Sequence, residues 1–252
     1  MREGLVSVIT PCYNGARYIV ETMDSVLAQT YADWEMIVVD DGSEDSSAEI
    51  VRQYAERDGR IRLIRQENGG SASARNHGIR EAEGQYIALL DADDLWKEEF
   101  LEEQIAFMKE KGALCVFSSY ERIDGDSREF LSPLICRESV TYKDMLVRNY
   151  IGCLTGLYDC SRHGKIYLHE ELRSIRDDYA YWLDVVRASG TAYGNRKVLA
   201  RYRVLQGSTT GKKRRLIKAQ YGFYRSYLGQ SPVTALANTV RWGIAGLINF
   251  SK

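Results

Sequence analysis

Along the first half of the chain, short runs of aliphatic and β-branched residues take turns with longer stretches in which apolar positions recur every three or four residues. The runs Leu5–Thr10, Trp34–Asp40, Ile61–Arg65, Tyr86–Leu90 and Ala113–Ser118 predict strands. Between them, Tyr18-Ile19, Met23 and Val26-Leu27 fall on one helical face, as do Ala48, Ile50-Val51 and Tyr54-Ala55. Ala74–Ala82 and Phe100–Met108 predict two further helices. Alternation of this kind predicts an α/β fold, a mostly parallel, Rossmann-like central sheet with helices on both faces. Turn residues punctuate it: Asn14-Gly15 after the first strand, Asp41-Gly42-Ser43 after the second, and Asn68-Gly69-Gly70-Ser71 before the third helix, with Ser71 as its expected cap. Past Tyr120 the pattern weakens, and Asp124-Gly125-Asp126 and Pro133 read as loops. Order returns with a strand at Gly152–Tyr158 and a helix at Tyr179–Ser189 closed by Gly190.

Composition changes this picture mainly at the carboxyl end. With 252 residues, 44% hydrophobic and 27% charged, the chain is long enough to bury a full core. All 35 acidic residues lie at or before Asp184, whereas 13 of the 34 basic residues follow it. A stretch without acids is expected to face an anionic partner, the alternative being that it packs on the acidic part of the chain. From Arg214 to Leu228 basic residues interleave with aromatics, and after Pro232 an apolar stretch with Trp242 and Phe250 is broken by Asn238, Arg241 and Gly243. That is too interrupted for a membrane span and suits an interfacial helix, so lipid is expected as the partner and nucleic acid is not. The five cysteines, Cys12, Cys115, Cys136, Cys153 and Cys160, lack zinc-like spacing and are expected to be reduced. No signal peptide is expected, because the amino terminus runs almost directly into a strand. Together these features place the protein in the cytoplasm, peripheral on the inner face of the plasma membrane.

The candidate chemistry lies in two acidic clusters where strands end: Asp40-Asp41-Gly42-Ser43 and Asp91-Ala92-Asp93-Asp94. The carboxyl edge of an open α/β sheet is where ligands bind, and neighbouring carboxylates repel unless something positive lies between them. A divalent cation carrying a diphosphate fits. Taken singly, each cluster is equally well a turn or a helix cap. Here they share one predicted sheet edge with Thr10-Pro11-Cys12-Tyr13-Asn14-Gly15 and with Asn68-Gly69-Gly70 leading to Ala74-Arg75-Asn76-His77-Gly78.

These segments, in this order and spacing, resemble family-2 glycosyltransferases of the GT-A fold from about Leu5 to Arg203, notably bacterial enzymes that build O-antigen, capsule or teichuronic-type polymers. The resemblance implies a metal-dependent, inverting hexosyltransferase using a UDP-sugar, with Mn2+ or Mg2+ as cofactor. It implies that Pro11 and Tyr13 line the nucleobase and that the Asp40-Asp41 pair, Asp41 foremost, accepts the uracil N3 proton. Arg75 would reach uracil or diphosphate, Asp91 the ribose or donor sugar, and Asp93 the metal, while Asp94 is expected to cap the next helix near Lys97. His77 is expected to make a local hydrogen bond rather than bind a ligand. In Ser174-Ile175-Arg176-Asp177-Asp178-Tyr179-Ala180-Tyr181-Trp182-Leu183, Asp178 matches the base that deprotonates the acceptor hydroxyl, with Trp182 lining the substrate and Asp177 as a cap. Leu199-Ala200-Arg201-Tyr202-Arg203 looks like the family's Tyr-Arg segment. Some relatives place a metal-binding histidine two residues after that arginine; here Leu205 stands there, and the loop Gln206–Lys213 either closes over the diphosphate instead or is simply a mobile basic loop, the two being equally expected. The implied domain covers 1–211, with a nucleotide-binding half at 1–118 and an acceptor half at 119–211, followed by basic amphipathic helices at 212–252. The acceptor is a growing glycan, expected to be lipid-linked through a polyprenyl diphosphate.

Two other classes compete. A haloacid-dehalogenase-like phosphatase also carries Asp-x-Asp after a strand, with Asp91 as its nucleophile, but Leu95 occupies the place of its Thr or Val. A non-catalytic nucleotide-sugar-binding protein would keep the pocket without turnover.

Overall fold

The computed structural model describes residues 1–172, 176–205 and 213–250. Ten strands among them form one sheet in the order β3-β2-β1-β4-β9-β6-β10-β5, with β7 on β6 and β8 on β10. Strands β1 (Arg2–Cys12), β2 (Trp34–Asp40), β3 (Ile61–Arg65) and β4 (Gly84–Leu89) are mutually parallel and linked by helices α1 (Ile19–Leu27), α2 (Ser47–Arg57) and α3 (Ser71–Glu81). Val6, Val8, Met36, Val38, Tyr86 and Ala88 pack on one face, and Ile9, Ile37, Val39, Ile87 and Leu89 on the other. Both faces are therefore covered, which is why these strands read as near-continuous apolar runs.

The other half of the sheet is mixed. After the two-residue β5 (Leu95–Trp96) and helix α4 (Phe100–Lys111), strand β6 (Cys115–Ile123) runs antiparallel to β9 (Gly156–Asp159) and parallel to β10 (Thr191–Arg203). β9 in turn runs antiparallel to β4, joining the two halves. The division near residue 118 thus falls inside β6. Strand β10 was not predicted because Gly194-Asn195-Arg196-Lys197 interrupts its apolar pattern where register shifts break the pairing to β6. Strand β7 (Glu129–Leu134) contains Pro133, which was read as loop; it is mostly exposed and pairs β6 alone, a placement that tolerates a missing N–H. Strand β8 (Ser139–Thr141) leads into the one-turn α5 (Tyr142–Met145), capped reciprocally by Thr141 and Asp144. The expected strand from Gly152 begins as a 3-10 turn at Cys153–Thr155 and becomes extended only at Gly156.

Helix α6 (Asp177–Ser189) packs its Tyr179, Trp182, Leu183 and Val186 against the sheet. Helix α7 (Lys213–Gly222) continues through a π-helical turn at Phe223–Tyr227, and Phe223 and Tyr224 are buried in that same core. The first part of the basic tail is therefore integral to the fold rather than an appendage. Tyr227 is tied to the domain by hydrogen bonds with His169 and Asp184.

Helix α8 (Pro232–Phe250) has inverted polarity: Ala235, Asn238 and Thr239 are buried, while Val233, Leu236, Val240 and Ile244 form an exposed stripe. Among the described residues no helix is long and apolar enough to cross a membrane.

Candidate active site

Parallel register brings the first two candidate segments together, because Cys12 at the end of β1 pairs with Asp40 at the end of β2. The turns that follow are laced to each other. Asn14, in a left-handed conformation with φ of 51°, accepts a 2.9 Å bond from the Glu44 N–H, and its own N–H donates 2.9 Å to Ser43. Pro11 is partly buried at this edge and Tyr13 is exposed, its ring offered to solvent beside the Asp40-Asp41 turn.

The two aspartates of that turn do different work. Asp40, 1% exposed, accepts a 2.9 Å bond from Arg65 Nε at the end of β3. Asp41 accepts three bonds of 2.8 Å, from Gln66 Nε2 and the N–H groups of Gly69 and Gly70. That carboxylate fixes the glycine turn that launches α3. Gly70 is the residue before the helix, at φ of 87°, a conformation that favours glycine, and Ser71 is the first helical residue rather than the cap. His77 bonds Gln66 at 2.8 Å, completing the turn.

Helix α3 delivers Arg75 to the centre of the edge. Its guanidinium, 6% exposed, bonds Asp91 just past β4 and Asp177 at the start of α6, the latter at 3.2 Å. Burial opposes this charge, but Asp91, Cys153 and Asp177 outweigh it, so Arg75 is held protonated well above the ordinary arginine range. Asp177, expected as a helix cap, is instead the buried counter-ion of Arg75.

Asp93 sits beside this pair and, among the described residues, makes no salt bridge. Burial and the neighbouring Asp91 raise its pKa to about 6. Asp94 does not cap the following helix, which starts at Phe100 after Glu99. It is buried in the sheet, where it accepts a 2.8 Å bond from the Arg203 N–H, and burial followed by the Asp93 charge pushes its pKa well up. Arg203, the last residue of β10, has a fully buried side chain; Nε donates 2.7 Å to the Asp93 carbonyl and Nη2 donates 3.1 Å to Glu21. It is the residue that fixes the Asp91–Asp94 turn, and its signal was the Tyr202-Arg203 pair at the end of an unrecognised strand.

Asp178 stands next to Asp177 with no salt bridge among the described residues. Burial, then the Asp177 charge, raises its pKa above the ordinary carboxylate value, while Arg75 and Arg176 act against that rise. Trp182 does not line this site: its indole is fully buried, and a methyl group on Gly156 would collide with it. The sequence drew no attention to Cys153, whose thiol lies among Arg75, Asp91, Asp177 and Asp178 and is pushed well up by burial. The expected loop 206–213 lies outside the described residues up to 212, as do Ser174 and Ile175.

The edge thus gathers four carboxylates around one buried guanidinium, with an exposed aromatic ring at one end and an unpaired acid at the other. Residues 7–203 match the family model described as glycosyl transferase family 2. The chain belongs to glycosyl transferase family 2. This family-2 transferase is 40% identical over 222 residues to the putative teichuronic acid biosynthesis glycosyltransferase TuaG of Bacillus subtilis, covering 88% of the chain and 87% of TuaG. It is 31% identical over 252 residues to the Escherichia coli UDP-Glc:alpha-D-GlcNAc-diphosphoundecaprenol beta-1,3-glucosyltransferase WfgD, covering 98% of the chain and 95% of WfgD. The crystal structure of S. aureus TarS 1-349 in complex with UDP-GlcNAc superposes with a TM-score of 0.71 at 20% identity, over 91% of this chain and 69% of that one. The fold is GT-A, a mixed sheet with helices on both faces, and the phosphatase reading is set aside.

Proposed function

We propose that this transferase moves a hexosyl group from a UDP-sugar to a hydroxyl of a glycan carried on a polyprenyl diphosphate, with inversion, in the synthesis of a bacterial surface polysaccharide such as O-antigen, capsule or a teichuronic-type polymer. Similarity to TuaG and WfgD along nearly the whole chain supports the pathway class, the WfgD name a diphosphate-linked acceptor and the TarS complex a UDP-sugar. The observation that carries the chemistry is Asp178, a partly buried carboxylate without a salt bridge among the described residues, whose pKa burial raises above the ordinary carboxylate value, the direction a general base needs.

In this reading Tyr13 stacks on uracil over Pro11, and Asp41 accepts its N3 proton, sharing the carboxylate with Gly69 and Gly70. Asp40 supports the same turn through Arg65. Arg75 faces the diphosphate and Asp91 the ribose or donor sugar, the two aligned by their mutual ion pair. Asp178 removes the acceptor proton as the hydroxyl attacks the anomeric carbon from the face opposite UDP, with no covalent enzyme intermediate. A binding protein without turnover would not require an unpaired acid there.

The donor set fits a hard divalent cation in part. Asp93 offers carboxylate oxygens that no salt bridge occupies among the described residues, although Arg203 and Arg75 act on it, and the described residues hold no cluster of three or more ligands. Asp93 with the donor's own oxygens and water would hold Mn2+ or Mg2+, which would offset charge on the departing diphosphate.

The basic α7 and the outward apolar stripe of α8 support peripheral docking on an anionic inner leaflet, where lipid-linked acceptors reside. Flotation with phosphatidylglycerol vesicles tests this; because Phe223 and Tyr224 belong to the core and removing the tail would disturb it, the test uses Leu236→Ser and Val240→Ser, and unchanged flotation refutes docking through α8. For the chemistry, Asp178→Asn is expected to abolish transfer while leaving UDP affinity intact. An unchanged rate removes Asp178 from the role of base.

A further inference from the structure

Where α6 meets the C-terminal helices, the structure encloses a guanidinium whose donors are not all met among the described residues. Arg176 precedes α6 in a left-handed conformation, φ of 72°, with its guanidinium 4.9 Å from the Trp242 ring centre on α8. Its Nε and Nη2 are enclosed and have no hydrogen-bond partner among the described residues. Gln220 on α7 is 0% exposed, and among the described residues neither its amide oxygen nor its nitrogen meets a hydrogen-bond partner. Tyr224 links the two, lying within the influence of both Gln220 and Arg176 while its hydroxyl donates to the Val147 carbonyl. The next residue, Arg148, also acts on Tyr224, stacks on Tyr150 and makes no salt bridge among the described residues.

Two arginines and a buried amide thus surround one tyrosine, and the acid that faces Arg176 is Asp178. A buried guanidinium with unmet donors is costly. The tail cannot relieve it, since the chain has no acid after Asp184. Guanidinium groups presenting free N–H donors are phosphate readers.

We infer that Arg176, Arg148 and Gln220 form the subsite for the diphosphate of the acceptor, under the roof of Trp242. The inference rests on the acceptor reading above. In an acceptor whose sugar is joined directly to a lipid diphosphate, the hydroxyl at the base and the diphosphate are one sugar ring apart, and Arg176 stands two residues from Asp178. The lipid chain then leaves the subsite beside α8, whose exposed stripe is apolar.

Farnesyl diphosphate is the probe, titrated calorimetrically into the full chain at saturating UDP. One site is expected, weakened at least tenfold by Arg176→Gln and Arg148→Gln and partly kept by Arg176→Lys, with UDP affinity unchanged. Without probe, Arg176→Gln should melt no lower than wild type, since it removes an unsatisfied charge, and should lose the thermal shift the probe gives wild type. A melting temperature lowered with probe affinity intact assigns Arg176 to packing and overturns the inference. So does absence of binding by wild type, or a matching loss of flotation with phosphatidylglycerol vesicles, which would assign the site to lipid headgroups. If Arg176→Gln fails to fold, Arg148→Gln and Gln220→Leu carry the same test. Probe binding that depends on Arg176 in a protein indifferent to UDP would uphold the subsite and refute the donor reading.

Discussion

Replacing Arg75 by methionine keeps most of the side-chain volume and removes the charge between Asp91 and Asp177. The arginine is 6% exposed and Asp177 6%, whereas Asp91 is 31% exposed, so the cost falls mainly on the Asp177 side. Removing one partner of a buried ion pair costs about 3–5 kcal/mol. A chain of this length loses about 2–4 °C per kcal/mol, so the melting temperature should drop by about 6–20 °C. Adding Asp177→Asn should restore part of the loss, because the stranded charge is gone. Differential scanning calorimetry of wild type, Arg75→Met, Asp177→Asn and the double variant checks this. A melting temperature within about 2 °C of wild type refutes the assignment of Arg75 as the counter-ion of this edge.

The remaining predictions concern the base, the core and the turn. Because the Asp178 pKa is raised and the base must be ionised, kcat/KM should climb with pH through a midpoint above the ordinary carboxylate range; a profile flat down to pH 4 excludes Asp178 as the titrating base. Gly156→Ala drives a methyl group into Trp182 and should cost about 1–3 kcal/mol in urea unfolding, with relief by Trp182→Phe; an unaffected midpoint means the core gives way there. Asp41→Ala removes the acceptor of three hydrogen bonds and should reduce UDP affinity at least tenfold in calorimetry, whereas Asp41→Asn, which keeps one acceptor oxygen for the Gln66 and Gly69 bonds and loses the Gly70 bond, should lose less.

The donor half of the fold was legible because both faces of a parallel sheet are buried, and the resulting apolar runs mark β1 to β4 within a few residues. The second half was not, since β10 carries its polar interruption at a register shift and β7 is exposed with a proline inside it. At the site, residue types pointed to the right edge, but partnership is a property of three dimensions. Asp177 and Asp178 are neighbours with the same side chain, and only packing makes one the partner of Arg75 and leaves the other unpaired. Asp94 and Trp182 match a motif yet serve the sheet and the core, and the role of Arg203 depends on a contact spanning more than a hundred residues. The tail's basic composition was plain, but not that Phe223 and Tyr224 help build the main core.

The three bonds to Asp41 have a spectroscopic consequence. The Gly69 and Gly70 amides point at the carboxylate that would read the nucleobase, so their proton resonances sit downfield only while that carboxylate is fully available to them. A nucleotide competing for the same oxygens pulls density away and moves both signals upfield together, while the helix amides of α3 stay put. Two glycine peaks, in a region of the spectrum where glycines are easily isolated, therefore become an internal gauge of donor-site occupancy that needs neither a labelled sugar nor an acceptor.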